Sequence, residues 1–302
     1  KIGYISFYIG LFLELFVVIL DKSDWQNIYE SWMFKIAFCF FVLTILCTRY
    51  TLREYLAVGA VGLLSLISWR VSGRDEPVRF VAFCAACKSI PLRPMMKRVF
   101  WATFAGCSVL VFLSVTGIFG TKSITLDFGR GMEQTRYCLG LGHPNALHCM
   151  FLMLLILGLY LYYQKIPWWG YLTLLFANVA MYLLTDSRMG TAVGLGTLAL
   201  GAWMRFWPGA FEKRWVYRAG ALLLLGLPVL SAWLTMHYSH ALDRLLNMRL
   251  WDVIVNAHAQ AANWTLFSGK GNDVYFDMGF VRLFYWYGLL PGIFVVLALA
   301  AL

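Results

Sequence analysis

Long apolar runs, each ended by a short cluster of charges, glycines or prolines, set the rhythm of this chain. The runs are continuous rather than alternating, so they read as helices near bilayer length and not as barrel strands. Ten spans are predicted, at 4–20, 33–47, 55–69, 78–90, 100–119, 146–163, 168–184, 190–203, 219–234 and 280–302, the fourth of them short. One long polar excursion, residues 235–278, separates the last two. The pattern predicts an all-α polytopic membrane protein forming one transmembrane domain. An N-terminal bundle covers about 1–119, and a part richer in polar motifs covers about 120–302. The first run carries no small-residue cleavage site, so it is expected to remain as a span. The chain stops inside an apolar run with no charged flank, so the natural protein is expected to continue.

Composition supports membrane insertion. Of 302 residues, 61% are hydrophobic and 13% charged, against about 25% charged in a soluble domain. The formal charge of +10 suits anionic membrane surfaces or phosphate-bearing ligands. No long polar domain exists to carry nucleic acid. Basic residues divide evenly between the two sides, so they do not fix the orientation. Acids collect on the side of the long loop, leaving only Glu54 and Glu212 on the other.

The seven cysteines lie mostly within apolar runs. Cys84-Ala-Ala-Cys87 has the spacing of a redox pair, and equally that of two small apolar residues one helical turn apart. His237 and His240 could share a helix face, but two ligands do not make a metal site. No metal and no cofactor is expected.

Three clusters can carry chemistry. In the first, Arg136 precedes Gly140-Leu-Gly142-His143-Pro144-Asn145-Ala-Leu-His148. Pro144 suits the first turn of a helix, where its missing N–H costs nothing. The unpaired N–H groups of that turn attract anions, with His143 and Asn145 at the mouth; a simple capped helix start explains the same residues. In the second, Thr185-Asp186-Ser187-Arg188-Met-Gly190 makes a very short turn between spans. Asp186 or Ser187 can cap the next helix. Arg188 then falls in its first turn, where the helix dipole disfavours a cation. It needs either Asp186 or an anionic ligand.

The third cluster is the long loop. Arg249, Asp252, Asn256, Gln260 and Asn263 fall on one stripe of an amphipathic helix predicted to lie on the membrane surface. His258 is nine residues after Arg249, about 180° around a straight helix. Those two can meet one ligand only if the helix breaks, or if Arg188 or Arg136 supplies the partner charge. Beyond them come Gly269-Lys270-Gly271 and Asp277.

Taken in order, these pieces resemble the O-antigen polymerase and ligase superfamily, membrane glycosyltransferases of bacterial surface polysaccharides. The similarity rests on Gly-His-Pro-Asn at 142–145, Asp-Ser-Arg-x-Gly at 186–190 and Arg249-x-Trp251. His258 with ten residues before Gly269, then Gly269-x-Gly271, Asp277 and Gly288, completes it. The motifs cover roughly 130–292; earlier spans match by hydropathy alone. The family usually has about twelve spans, and the loop here is short for a ligase. The resemblance implies a GT-C-like fold in the bacterial cytoplasmic membrane with its active face outside. It implies undecaprenyl-pyrophosphate-linked oligosaccharides as donor and acceptor, and a flippase and a chain-length regulator as partners. Arg188, Arg249 and Arg136 would hold the pyrophosphate and His258 would act as general base. His143, Asn145, Asp277, Gly269 and Gly271 would line the site.

Such chemistry is physically reasonable without a metal. Pyrophosphate is already an activated leaving group, so the site must supply charge neutralisation and alignment. Arginine stays charged and binds phosphate oxygens bidentately. Aromatic rings such as Trp251, Trp264, Tyr275 and Tyr285 are candidates for interfacial anchors or sugar-stacking faces. A transporter or flippase for an anionic or lipid-linked substrate is the rival reading, with intramembrane charges and glycines marking its pathway.

Overall fold

The computed structural model describes residues 1–127, 132–246 and 248–301. Arg130, Asn247 and Leu302, which the sequence reading includes in the motif region, the loop helix and the last span, lie outside them. The helices are α1 (Ile2–Asp21), α2 (Glu30–Leu46), α3 (Leu52–Ser72), α4 (Glu76–Ala86) and α5 (Leu92–Val115). After a hairpin of β1 (Ser123–Asp127) and β2 (Glu133–Tyr137) come α6 (Pro144–Tyr162), α7 (Trp168–Thr185), α8 (Arg188–Phe206) and α9 (Arg214–Met236). The long loop holds α10 (His240–Leu245) and α11 (Arg249–Trp251), and the chain ends in α12 (Gly279–Tyr287) and α13 (Leu289–Ala301).

All ten predicted stretches contain helix. Six helices among the described residues, α1, α3, α5, α6, α7 and α9, are long and apolar enough to cross a bilayer. The protein is therefore a multi-pass α-helical membrane protein. Of the other stretches, α2 has 17 residues, α4 has 11 and α8 has 19.

The α-helical reading holds, with one addition and two corrections. A short hairpin is added: β1 and β2 pair antiparallel, Ser123 opposite Tyr137 and Thr125 opposite Thr135. Ile124, Thr125, Thr135 and Tyr137 are β-formers, too short a run to register among spans. The loop helix is not continuous, because Met248 (φ 63°) and His258 (φ 48°) are left-handed and a π-helical turn occupies Asp252–Asn256. The last span is broken at Gly288, whose φ is 93°.

The chain divides into two compact units. The first comprises Lys1–Arg49 and Ala86–Ala210. Within it α1 packs along α2, where Gly10 lets the Phe41 ring approach to 3.0 Å of the position a Cβ would take. Helix α8 lies against α6 and α7 through Gly190, Gly194 and Gly201, which face His148, Asn178 and Leu159. Small residues allow this close approach of membrane helices.

The second unit comprises Tyr50–Ala85 and Phe211–Leu302. Its α3 begins with a capping box, Thr51 and Glu54 exchanging hydrogen bonds at the first turn. Helices α12 and α13 pack on α9. The loop folds onto α12, where Val253, Ala257, Ala259, Phe276, Val281 and Tyr285 form a buried core.

Candidate functional site

In the first unit, the hairpin, the start of α6 and the 185–188 turn come together. The chain turns through Leu139, Gly140 and Gly142, all with positive φ, and delivers Pro144 to the first position of α6. His143 is the N-cap, its Nδ1 accepting from the Asn145 N–H at 3.1 Å. Both His143 and Asn145 are exposed. Arg136, at the end of β2, is buried. Its guanidinium donates to the Asp186 carboxylate at 3.0 Å and to the Gln134 carboxamide at 2.8 Å.

That pairing decides the state of Arg188. Asp186 does not cap α8; it ends α7 in a left-handed conformation (φ 49°) and points its carboxylate at Arg136. Ser187 is the N-cap of α8 and makes no side-chain cap bond. Arg188, the first helical residue, is exposed and has no ion-pair partner among the described residues. A lone cation thus sits at the positive end of a helix dipole, a placement that bound anion would stabilise.

A buried network, to which the sequence reading gave no role and whose Asn178 it did not name, fixes this turn. His148 on α6 is fully buried, with Nδ1 2.9 Å from the Thr185 hydroxyl. Thr185 donates to the Met181 carbonyl and accepts from the Ser187 N–H. Asn178, also fully buried, donates to the Thr191 carbonyl at 3.1 Å. A Cβ at Gly190 would come within 2.5 Å of the His148 ring, so glycine makes room for the imidazole. The signal was present: an ionisable residue inside an apolar span is costly and needs a reason.

In the second unit, Arg249 and Asp277 form an ion pair at 3.7 Å, with side chains 30% and 49% exposed. Such a pair is worth about 0–1 kcal/mol, so a phosphate can displace the carboxylate at little cost. The backbone turn just after Arg249 is held by a residue the sequence reading passed over. Asp243 is fully buried, and one carboxylate oxygen accepts from the Leu250 N–H at 2.9 Å and the Trp251 N–H at 3.2 Å. Its other oxygen accepts from the Tyr238 hydroxyl at 3.3 Å. Desolvation, with the Asp243 charge beside it, pushes the Tyr238 hydroxyl up from its ordinary value. Hydrogen bonds to charged groups contribute roughly 1.5–3 kcal/mol. Asp243→Ala is accordingly expected to lower stability by about 2 kcal/mol and to loosen the Arg249 turn, read by thermal unfolding in detergent and by proteolysis at 246–251. An unchanged melting temperature would show that the carboxylate is dispensable.

His258 is exposed and left-handed. Its carbonyl accepts from Asn263, and the flanking Ala257 and Ala259 N–H groups bond to Asp252 and Val253. The winding between Arg249 and His258 is interrupted by the π-helical turn and ends at the left-handed His258, so the two do not sit on one straight helix. Gly269 and Gly271 have open space where a Cβ would stand and no positive φ. The fold does not require glycine at either position, so a requirement for it would come from a ligand.

None of the seven cysteines, all of them described residues, is in a disulfide. Burial, and then the Asp24 carboxylate, pushes the Cys138 thiol up, which makes it a poor nucleophile. No group of His, Cys, Asp and Glu side chains that could hold a metal ion occurs among the described residues. Compared with known proteins, the chain matches no family model, no curated protein and no solved structure.

Proposed function

We propose that this protein is a membrane glycosyltransferase that joins undecaprenyl-pyrophosphate-linked oligosaccharides, by polymerisation or ligation, into a bacterial surface polysaccharide. The reading carries with it ten spans, a GT-C-like arrangement and an active face outside the cytoplasmic membrane. The observation that carries it is Arg188, exposed and without an acid partner among the described residues, at the head of α8. A pyrophosphate is the kind of anion such a position accommodates. Within the second unit Arg249 is the other phosphate ligand of this reading once Asp277 releases it, and within the first Arg136 stands behind the turn with its charge balanced by Asp186. In the reaction, the acceptor hydroxyl oxygen attacks the anomeric carbon. The bond to pyrophosphate breaks, undecaprenyl pyrophosphate leaves with the electron pair, and the His258 imidazole takes the hydroxyl proton. His143, Asn145, Gly269 and Gly271 line the donor and acceptor paths. A flippase supplies the donor, and a regulator of chain length is a fitting partner.

The deciding experiment incubates purified protein with a labelled lipid-linked oligosaccharide and looks for longer saccharides. Charge-assisted contacts of roughly 1.5–3 kcal/mol correspond to about 10- to 150-fold in rate. Arg188→Ala is therefore expected to lose that much activity at normal expression, and Arg188→Lys to recover part of it. Full activity in the alanine variant would make this arginine structural.

Topology offers an independent check. In a background with the seven cysteines replaced, Asp273→Cys, at an exposed loop position, is expected to react with an impermeant maleimide in intact spheroplasts. Labelling only after lysis would put the loop on the cytoplasmic side and remove the donor-site assignment.

One observation favours a second reading. The break at Gly288 receives the 265–268 segment, with the Leu289 and Leu290 N–H groups bonded to the Thr265 and Leu266 carbonyls. Broken helices with loops seated in them also build transport sites. A transporter moves the labelled oligosaccharide across a vesicle membrane and makes no new glycosidic bond.

A further inference from the structure

In the second unit, two half-buried arginines share one aromatic ring and make no ion pair among the described residues. Arg74 follows the left-handed Gly73 that ends α3, and its guanidinium carbon lies 3.9 Å from the centre of the Trp286 ring. Arg282, one turn earlier on α12, lies 4.9 Å from that same centre and 4.6 Å from the Tyr275 ring. Each donates to one backbone carbonyl, Arg74 to Asn272 and Arg282 to Phe276, both at 3.4 Å. Neither makes an ion pair among the described residues.

The acids nearby do not restore the balance. Asp75 is paired with Arg79 at 3.3 Å. Glu76 is exposed and lies, with Arg74, Arg79 and Arg282, in the electrostatic surroundings of Tyr287. A third cation joins the two arginines, since the exposed Lys270 side chain runs past Gly73, its Cγ 3.5 Å from where a Cβ would be. A guanidinium carries five N–H donors. With one backbone bond each, Arg74 and Arg282 keep most of theirs, and stacking on the indole restricts both side chains before any ligand arrives.

We propose that Arg74, Arg282 and Lys270 form an anion site for a phosphoryl group, built from residues other than those of the proposed donor site. Two arginines offer bidentate N–H pairs to phosphate oxygens, and the lysine adds a mobile charge at the rim. Arg74 lies just past the end of a helix long enough to cross the bilayer. The phosphoryl group can therefore come from an anionic lipid headgroup or from a soluble diphosphate, and both present the same oxygens.

The test uses the full chain purified in an uncharged detergent. One arm titrates inorganic pyrophosphate by calorimetry; the other counts retained phosphatidylglycerol and phosphatidylcholine by native mass spectrometry. Arg74→Gln and Arg282→Gln are each expected to weaken at least one phosphoryl probe tenfold or more, with the Lys variants recovering part and phosphatidylcholine unaffected. Loss confined to phosphatidylglycerol assigns a lipid headgroup; loss confined to pyrophosphate assigns a soluble ligand. Lys270→Gln alters an exposed side chain and is expected to keep the parent's melting temperature while weakening the same probe severalfold. It decides the matter if the arginine variants fail to fold. Equal affinity for both probes in parent and Lys270→Gln, or in parent and the double arginine variant, overturns the proposal, as does the absence of binding by the parent. Because no residue here belongs to the donor site, this result stands apart from any outcome of the polymerisation assay.

Discussion

Under the proposed function, replacing His258 by glycine is expected to cut glycosyl transfer by about 10²–10⁴-fold, the usual worth of a positioned general base, while leaving the protein at least as stable as before. The two halves of that expectation have separate causes. A left-handed non-glycine residue costs about 1–2 kcal/mol, and His258 adopts φ 48° in a segment whose neighbouring N–H and C=O groups are already bonded. Glycine removes the strain but adds freedom to the unfolded chain, worth about 0.4–1 kcal/mol, which leaves a net change of about 0–1.6 kcal/mol in favour of the variant. A histidine kept in a strained conformation on an exposed loop suggests selection for its side chain rather than for the fold. The measurement pairs turnover of a lipid-linked donor with donor binding and a melting curve. The catalytic reading needs turnover lost with binding and melting retained. His143→Ala supplies the contrast, since His143 spends its Nδ1 on capping α6. If the His143 variant loses turnover and the His258 variant does not, the base belongs to the other loop.

Much of the architecture was legible because bilayer insertion leaves a coarse, continuous signal. The runs that became α1, α3, α5, α6, α7 and α9 needed only length and hydropathy. Pro144 at the head of α6 was readable from local chemistry for the same reason: its preference depends on its own ring and not on distant partners. What the sequence concealed was set by contacts far apart in the chain. Asp186 lies two residues before Arg188, yet its carboxylate goes to Arg136, fifty positions away across the hairpin. The loop stripe from Arg249 to Asn263 had the right period for a helix. Asp243 draws the Leu250 and Trp251 N–H groups to itself, and the winding widens into a π turn after them. The hairpin was too short for a search tuned to spans. Within each unit, candidate residues do meet, Arg136 with the Asp186–Arg188 turn and Arg249 with Asp277.

Gly288→Ala is expected to be the most damaging single-methyl change in the second unit, costing about 4 kcal/mol. The backbone there has φ 93° and ψ 173°, a region essentially reserved for glycine and worth about 1–3 kcal/mol of strain for any other residue. The added Cβ would also stand 2.5 Å from the Phe267 Cα, 2.6 Å from the Leu266 oxygen and 2.7 Å from the Ser268 nitrogen. These are backbone atoms, so no side chain can swing aside, and overpacking adds about 1–3 kcal/mol. The 265–268 segment cannot simply retreat. Its carbonyls satisfy the first N–H groups of α13, and the Ser268 hydroxyl and Asn272 carboxamide satisfy the Tyr285 carbonyl near the end of α12. Moving it would strip bonds from both sides of the break and disturb the path to Gly269 and Gly271. Gly269→Ala, Gly271→Ala and Gly279→Ala are the controls, because nothing lies within 4 Å of a Cβ at any of them. Denaturant or thermal unfolding in detergent should separate Gly288→Ala from all three. A Gly288→Ala protein that melts with the controls would mean that α12 and α13 can rejoin as one helix, and that the seated loop is not what holds them apart.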